Sequence, residues 1–129
     1  MHADLNVPRP PFNVAFAIID AMDSDRENFL VQAMWRIPSN ECQFNFSCFE
    51  ALGYVIRCRT DTVEDEIRKI VFKTELDRNS SGVATFSAKP FRRYVCEMAA
   101  FNGYGVSHYG SRVDIETPQL SNQSQVPVL

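Results

Sequence analysis

The stretch Lys89-Pro-Phe-Arg-Arg-Tyr-Val-Cys-Glu-Met-Ala-Ala100 decides the predicted fold, because it combines a helix-start residue, a basic edge and two small residues. Pro90 suits the first turn of a helix, since the backbone N–H that proline lacks would have no partner there. Phe91, Val95 and Met98 follow at spacings of four and three, which places them on one face of a helix. We therefore predict a helix with an apolar face that ends at the glycines following this stretch.

The same stretch carries a cationic face beside the apolar one. Its positive charges would lie in the first helical turn, where they oppose the helix dipole and add no local stability. They predict an anionic partner, and the alternative is that they are the solvated charges of an ordinary amphipathic helix. The residues of this face are Lys89, Arg92 and Arg93.

Length and composition indicate one globular domain. The chain has 129 residues with 45% hydrophobic content, which is enough to bury a core. Its formal net charge is −3 and its sequence pI is about 5.3. An acidic chain of this kind is not a generic binder of polyanions, so any contact with nucleic acid is expected to be local.

The cysteines and the N-terminal sequence predict the compartment. The four cysteines form no Cys-x-x-Cys pair, and with only two histidines in the chain a zinc site is not expected. We interpret them as reduced, mostly buried thiols. The sequence shows neither the apolar run of a signal peptide nor an apolar run of about 18 residues, which predicts an intracellular protein, cytoplasmic or nuclear, with no membrane contact. The cysteines are Cys42, Cys48, Cys58 and Cys96.

The first third of the chain favours helices. Residues 1–23 form an N-terminal arm, in which the stretch from Phe12 to Met22 fits either a strand or a helix, with the helix preferred. Ser24 and Glu27 match a capping box, which predicts a helix that runs to Ile37 before a proline ends it.

The middle of the chain follows the period of two that is typical of strands. Alternation predicts strand structure from Cys42 to Cys58, with a bend at Gly53, and again from Ile67 to Leu76 and from Val83 to Ser87. The acidic segment from Thr60 to Glu66 is expected to be an exposed connection. In the strand that begins at Ile67, one side is expected to hold Ile70, Phe72 and Leu76, and the other Lys69, Val71, Lys73 and Glu75.

These elements together predict an α+β fold. A three-stranded antiparallel sheet would carry helices packed on one face, in the order α-β-β-β-α, with an N-terminal extension. The α+β domain would occupy residues 24–102, and residues 103–129 would form a loop and a flexible tail.

The order of elements and the opening stretch resemble the double-stranded-RNA-binding domain. In that family the second helix starts with two basic residues and later carries two alanines that pack on the sheet. Arg92, Arg93, Ala99 and Ala100 match those positions. The resemblance implies that the two arginines, with Lys89, contact the phosphates of duplex RNA, which this family recognises by shape.

Two departures place the chain closer to degenerate members of that family. Cys96 stands where a third basic residue belongs, and the connection from Thr60 to Glu66 has four carboxylates in place of a Gly-Pro-x-His element. Degenerate copies dimerise or hold partner proteins. The resemblance thus implies a non-enzymatic module in an RNA-related pathway, acting mainly through a partner protein or a second copy, with weak duplex RNA binding as a secondary property. Candidate protein-binding anchors are Phe44, Phe46, Tyr54 and Phe101.

The sequence contains no catalytic, metal-binding or cofactor-binding signature, and we predict no catalytic residue, no metal and no cofactor. One alternative is a small α+β enzyme or ligand carrier with a pocket near His108, Tyr104 or Tyr109. Another is an accessory or scaffold protein of an unrelated α+β fold.

Overall fold

Two antiparallel sheets face each other across one core in the computed structural model, which describes residues 6–20, 28–38, 50–78, 80–110 and 112–119. The smaller sheet has the order β1-β2-β5. Its strands are β1 (Phe12–Asp20), β2 (Phe29–Arg36) and β5 (Ser81–Ala88).

The larger sheet has the order β4-β3-β6-β7, with β8 also pairing with β6. Its central strand β6 has 11 residues, so that one edge of β6 can pair with β8 near its start and with β7 near its end. The strands are β3 (Gly53–Arg59), β4 (Ile67–Phe72), β6 (Arg92–Asn102), β7 (Gly105–Val106) and β8 (Val113–Thr117). Short 3-10 turns lie at Val63–Asp65 and Lys73–Glu75.

The predicted α+β fold is wrong. The described residues contain no α-helix, and the stretch from Lys89 to Ala100 is a loop followed by most of β6. Tyr94, Cys96 and Met98 alternate into the core with the period of a strand. The helical pattern arose because the opposite side of β6 also carries apolar residues, so that a stripe at spacings of three and four could be drawn through both sides.

The helix predicted from Ser24 to Ile37 is also wrong wherever the structure describes it. Residues 29–36 form β2, in which Phe29, Val31, Ala33 and Trp35 are buried on alternate positions. Leu30 and Met34 occupy the other side and completed the false helical stripe. The capping box lies outside the described residues. The helix preferred from Phe12 to Met22 is wrong in the described part, because residues 12–20 form β1.

The strands predicted in the middle of the chain are confirmed at β3, β4 and β5. The alternation predicted within β4 is confirmed at these positions, with Val71 buried on one side and Ile70 and Phe72 exposed on the other. The sequence did not predict which side faces the core. The predicted strand residues 42–48 lie outside the described part of the chain.

Trp35 anchors the core between the two sheets. Its ring lies 5.5 Å from the ring of Tyr54 on β3, measured between centroids. Directly opposite Trp35 on β5 is Gly82, and a Cβ built there would overlap the Trp35 indole. Glycine is therefore required at this position because the tryptophan lies flat on the neighbouring backbone.

A disulfide joins the two central strands of the larger sheet. Cys58 on β3 and Cys96 on β6 are directly opposite each other in the register, and both are fully buried. The predicted reduced thiols are therefore wrong for this pair. Cys42 and Cys48 lie outside the described residues.

The loop that precedes β6 is held by hydrogen bonds to buried side chains. The Lys89 backbone N–H donates to Tyr94 Oη at 3.1 Å. Thr117 Oγ1 donates to the Lys89 carbonyl at 2.6 Å and accepts from the Arg92 backbone N–H at 2.9 Å. Phe91 in this loop adopts a positive φ of 57°, which these fixed ends impose.

No described helix is long and apolar enough to cross a membrane.

Reducing the disulfide is expected to destabilise the fold by about 4 kcal/mol, since the bridge closes a loop with a sequence separation of 38 residues. Urea unfolding with and without a thiol reductant measures this difference in the free energy of unfolding. The double variant Cys58→Ala/Cys96→Ala is expected to be insensitive to the reductant. An equal midpoint for the oxidised and reduced wild-type protein would contradict the bridge.

The Gly82→Ala substitution is expected to cost about 1–3 kcal/mol, because the new methyl group must displace the Trp35 ring. Gly103→Ala is the matched control, since a Cβ there meets no atom within 4 Å. Thermal unfolding compares the two variants. Equal unfolding temperatures would show that Trp35 does not lie on Gly82.

Candidate functional site

The side of the larger sheet that points away from the core, here called the outward face, carries the most distinctive surface of the described residues. Residues directly opposite each other on neighbouring antiparallel strands share a face. One row across the strands consists of Phe72, Gly53, Phe101 and Val106. The next consists of Ile70, Val55 and Ala99, and the third of Arg68, Arg57 and Glu97.

An apolar patch, defined as Ile70, Phe72, Phe101 and Val106, covers one end of this face. Ile70 and Phe72 are each 49% exposed and Val106 is 52% exposed. The rings of Phe72 and Phe101 meet edge to face with centroids 5.9 Å apart. The Phe101 ring lies over Gly53, where an added Cβ would come within 2.7 Å of it. The patch is thus exposed but built on side chains that the sheet holds in place.

An arginine cluster, defined as Arg57, Arg59, Arg68 and Arg112, lies at the other end of the face. Three of its members surround the carboxylate of Glu97, whose side chain is only 6% exposed. Arg57 donates to Glu97 Oε2 from Nε at 3.1 Å and from Nη2 at 2.6 Å, and Arg59 Nη2 donates to the same oxygen at 3.2 Å. Arg112 Nε lies 3.7 Å from Oε1.

Arg57 is the best-held member of the cluster. Its guanidinium carbon lies 4.2 Å from the centroid of the Tyr109 ring, a cation–π contact. The hydrogen bond with Glu97 raises the pKa of Arg57 above its ordinary value, although partial burial acts in the opposite direction. Arg57 is therefore charged at every physiological pH.

An open cleft lies beside the arginine cluster. It is lined by Arg59, Thr60, Asp61, Arg93, Val95 and Arg112. Arg93 is tied to Glu116 by hydrogen bonds of 2.9 and 2.7 Å, so the cations not engaged in that pair are Arg59 and Arg112, which reach inward to Glu97. The cleft combines guanidinium groups with a small apolar wall.

The outward face of the smaller sheet is different in character. Its outward paired positions include two large exposed hydrophobic residues, Phe12 of β1 and Val83 of β5, which do not lie in the same row across the strands. The other outward positions of β5 are Ser81, Thr85 and Ser87. This contrast singles out the larger sheet as the candidate binding surface.

Comparison with known proteins identifies the fold. No protein-family model matches the sequence, and no curated protein matches it. Among solved structures, the fn3 domain of human contactin 1 is similar with a TM-score of 0.62 and 17% identity, over 94% of this chain and 87% of that one. The FN5 domain of Drosophila Lar gives 0.57 and 16%, over 87% and 98%.

The FN1-FN3 fragment of chicken CNTN1 gives a TM-score of 0.61 at 20% identity, over 88% of this chain and 33% of that one. The chain has the fibronectin type III fold. Tyr94 occupies the tyrosine corner of such sandwiches, because its hydroxyl bonds back to the backbone a few residues upstream. The resemblance to the double-stranded-RNA-binding domain, and the RNA-related function drawn from it, are wrong, because a fibronectin type III fold has no helix to present to a duplex.

In the fibronectin type III fold, the three residues predicted to contact phosphates are paired with carboxylates. Lys89 Nζ and Arg92 Nε donate to the two oxygens of the buried Asp65, each at 2.7 Å. These hydrogen bonds, from Lys89 first and Arg92 second, lower the pKa of Asp65. Arg93 pairs with Glu116. The cationic stretch therefore fastens the loop before β6 to the connection between β3 and β4.

The four predicted protein-binding aromatics have different positions. Phe44 and Phe46 lie outside the described residues. Tyr54 is buried in the core, and burial raises its pKa to about 12, so it offers no surface. Phe101 belongs to the apolar patch. The sequence did not reveal the exposure of Ile70 and Phe72, since their alternation marks a shared face without saying which face is buried.

The alternative site near His108 is not supported by the fold that it assumed, since the fold is not α+β. His108 is exposed on the segment that follows β7. A second open cleft, around Phe91, Arg92 and Thr117, does not include it either. Within the described residues no group of histidines, cysteines and carboxylates is placed to hold a metal ion.

The Asp65→Asn substitution is expected to destabilise the domain at neutral pH, because Lys89 and Arg92 would lose their shared carboxylate. A carboxylate with a depressed pKa stabilises the fold above its unfolded pKa of roughly 4 and loses that contribution as pH falls further. The stability difference between wild type and variant should therefore be full at pH 7 and shrink below about pH 4. Urea midpoints across this range check it, and a difference independent of pH would contradict the ion pairs.

Proposed function

We propose that this domain is a non-enzymatic protein-binding module that engages its partner through the outward face of the larger sheet. The observation that carries the proposal is the apolar patch. Isolated exposed apolar residues are common on protein surfaces, but these four lie together on β4, β6 and β7, with Gly53 of β3 between them. A contiguous apolar surface beside a charged rim is typical of protein interfaces.

The patch is suited to binding because its side chains are already ordered. Phe101 lies against Gly53 and meets Phe72 edge to face, so neither ring has to be fixed in position when a partner arrives. Binding by preorganised side chains avoids much of the entropy loss that weakens an interface. Aromatic residues in the centre of an interface commonly supply most of its binding energy.

A different protein fits the outward face better than a second copy of this chain. In a symmetric dimer, the same surface of each copy contacts the other copy. Because the apolar patch lies at one end of the outward face, such a contact would also bring the rest of each outward face against the other copy. Here the remainder is the arginine cluster, in which three of the four guanidinium groups surround one carboxylate. Like charges across an interface oppose association.

The fold is compatible with this function. Fibronectin type III domains are generally non-enzymatic interaction modules. A fold alone does not determine function, so the surface residues carry the proposal and the fold only agrees with it.

We also propose that the domain works in an oxidising compartment. Disulfides between buried cysteines persist in secreted and extracellular proteins and are rare in the cytosol. The intracellular location predicted from the sequence rested on the lack of a signal peptide and of a long apolar run, and the cysteines were separately interpreted as reduced. The Cys58–Cys96 disulfide supports the oxidising compartment instead.

A peptide-display experiment tests whether the outward face of the larger sheet binds a partner. The domain is immobilised, and peptides that bind it are selected from a displayed library of random sequences. Peptides enriched on the wild-type protein are expected to bind the double variant Ile70→Ser/Phe72→Ser about tenfold more weakly or worse, because both exposed anchors are lost.

The matched control is Val83→Ser, which removes a side chain of similar exposure (53%) from the other sheet and should leave binding unchanged. Unfolding temperatures of all variants establish that they are folded. Enrichment of peptides that bind wild type and the double variant equally, or no enrichment at all, would overturn the proposal.

A further inference from the structure

We infer that the arginine cluster recognises carboxylate groups on an acidic segment of the partner protein. This inference rests on the proposed binding face and specifies the chemistry of what binds there. It commits to an acidic polypeptide in which carboxylates lie next to an apolar side chain, so that both ends of the outward face are used together.

The charges of the cluster do not balance within the described residues. Arg68 lies directly opposite Arg57 across the strands, and Glu97 lies on the other side of Arg57. Two like charges in directly opposite positions destabilise a sheet. Glu97 relieves this for Arg57, but among the described residues Arg68 has no carboxylate within 4 Å. Glu97 thus contacts three of the four guanidinium groups, and Glu66 attracts Arg57 without forming an ion pair, in a chain whose net charge is −3.

The unused donors of the cluster face outward. Each guanidinium group has five N–H donors, and both oxygens of Glu97 are already approached by the arginines. Arg59 and Arg112 keep side-chain exposures of 47% and 68% while reaching inward to this carboxylate. Their remaining N–H groups are available to a ligand carboxylate, which guanidinium groups bind through two parallel hydrogen bonds.

Glu97 and Tyr109 act as positioning residues for this site. Glu97 is buried and receives hydrogen bonds from Arg57 and Arg59, and the Tyr109 ring covers the Arg57 guanidinium. These contacts hold the cationic groups in place before any ligand arrives, which lowers the entropy lost on binding. Arg57 itself is largely engaged with Glu97, so the ligand-contacting members are Arg59, Arg68 and Arg112.

The surroundings favour an acidic polypeptide over an extended polyanion. Asp61 lines the same cleft as Arg59 and Arg112, and the exposed Asp114 lies directly opposite Val95 on the same face. These carboxylates limit the positive surface to a small area and would repel a long sulfated or phosphorylated chain. From Arg57 toward the apolar patch, the next two outward positions of β3 are Val55 and then Gly53, which lies beneath the patch. A polypeptide segment can present apolar side chains to the patch and carboxylates to the cluster at the same time.

Fluorescence polarisation with defined peptides tests the inference. The probes are a peptide that alternates glutamate with phenylalanine, its counterpart with lysine in place of glutamate, and heparin as a sulfated polyanion. The wild-type domain is expected to bind the glutamate peptide, more weakly as salt rises, and to bind the lysine peptide at least about tenfold less tightly.

Charge reversal in Arg68→Glu/Arg112→Glu is expected to weaken binding of the glutamate peptide by roughly tenfold or more and to strengthen binding of the lysine peptide. The control variant Arg36→Glu/Arg78→Glu changes the net charge equally at exposed positions outside the outward face, and should change neither affinity. Unfolding temperatures establish that both variants are folded.

The outcomes separate this inference from the proposed function. Binding that Ile70→Ser/Phe72→Ser abolishes, but that charge reversal at Arg68 and Arg112 leaves unchanged, would overturn the inference and keep the binding face. Binding that neither pair of substitutions affects would overturn both. Heparin binding that depends on the arginines, without binding of the glutamate peptide, would replace the acidic polypeptide with a polyanion and overturn the inference.

Discussion

The pairing of β3 with β6 is the constraint on which the rest of the molecule depends. It runs from Gly53 opposite Phe101 to Arg59 opposite Val95, and the Cys58–Cys96 disulfide fixes its register covalently. A slip of one residue would exchange the two sides of a strand. Because the bridge forbids that slip, the side of each strand that faces the core is determined once for the whole sheet.

The same register creates both the core and the candidate site. On the inner side, Tyr94 and Met98 belong to the same core cluster as Trp35 of the smaller sheet. On the outer side, it brings Arg57 opposite Glu97 and places the Phe101 ring over Gly53. The apolar patch and the pair of Arg57 with Glu97 therefore lie on paired strands, whereas Arg112 and Tyr109 come from the segment between β7 and β8.

The sequence was informative where a strand buries one side and exposes the other. Residues 83–87 alternate clearly, and in β3 Tyr54, Ile56 and Cys58 follow the period of two although Val55 is also buried; both strands were predicted. The sequence was misleading where both sides of a strand are apolar. In β6, Ala99 on the outward face is as buried as Ala100 on the inward one, so the period of two was hidden and a helical stripe fitted equally well. The pairs of basic residues and alanines then acquired a false meaning as helix positions.

The candidate site was less predictable than the fold, for a physical reason. Arg57 lies about forty positions before Glu97 and Phe101 in the chain. Only the pairing of β3 with β6 brings these residues together. Lys89 and Arg92 were recognised as an unusual basic pair, but their partner Asp65 lies in a segment that reads as a solvated acidic connection. Charge partners across a sheet leave no local signature in one sequence.

NMR of the oxidised protein tests the central claim, the register of β6 on β3, most directly. Cys58 and Cys96 have Cα atoms 4.0 Å apart, so a strong contact between their Hα protons is expected, together with strand-type chemical shifts from Arg92 to Asn102. Helical shifts across that stretch, or an Hα contact from Cys58 to a residue other than Cys96, would contradict the account.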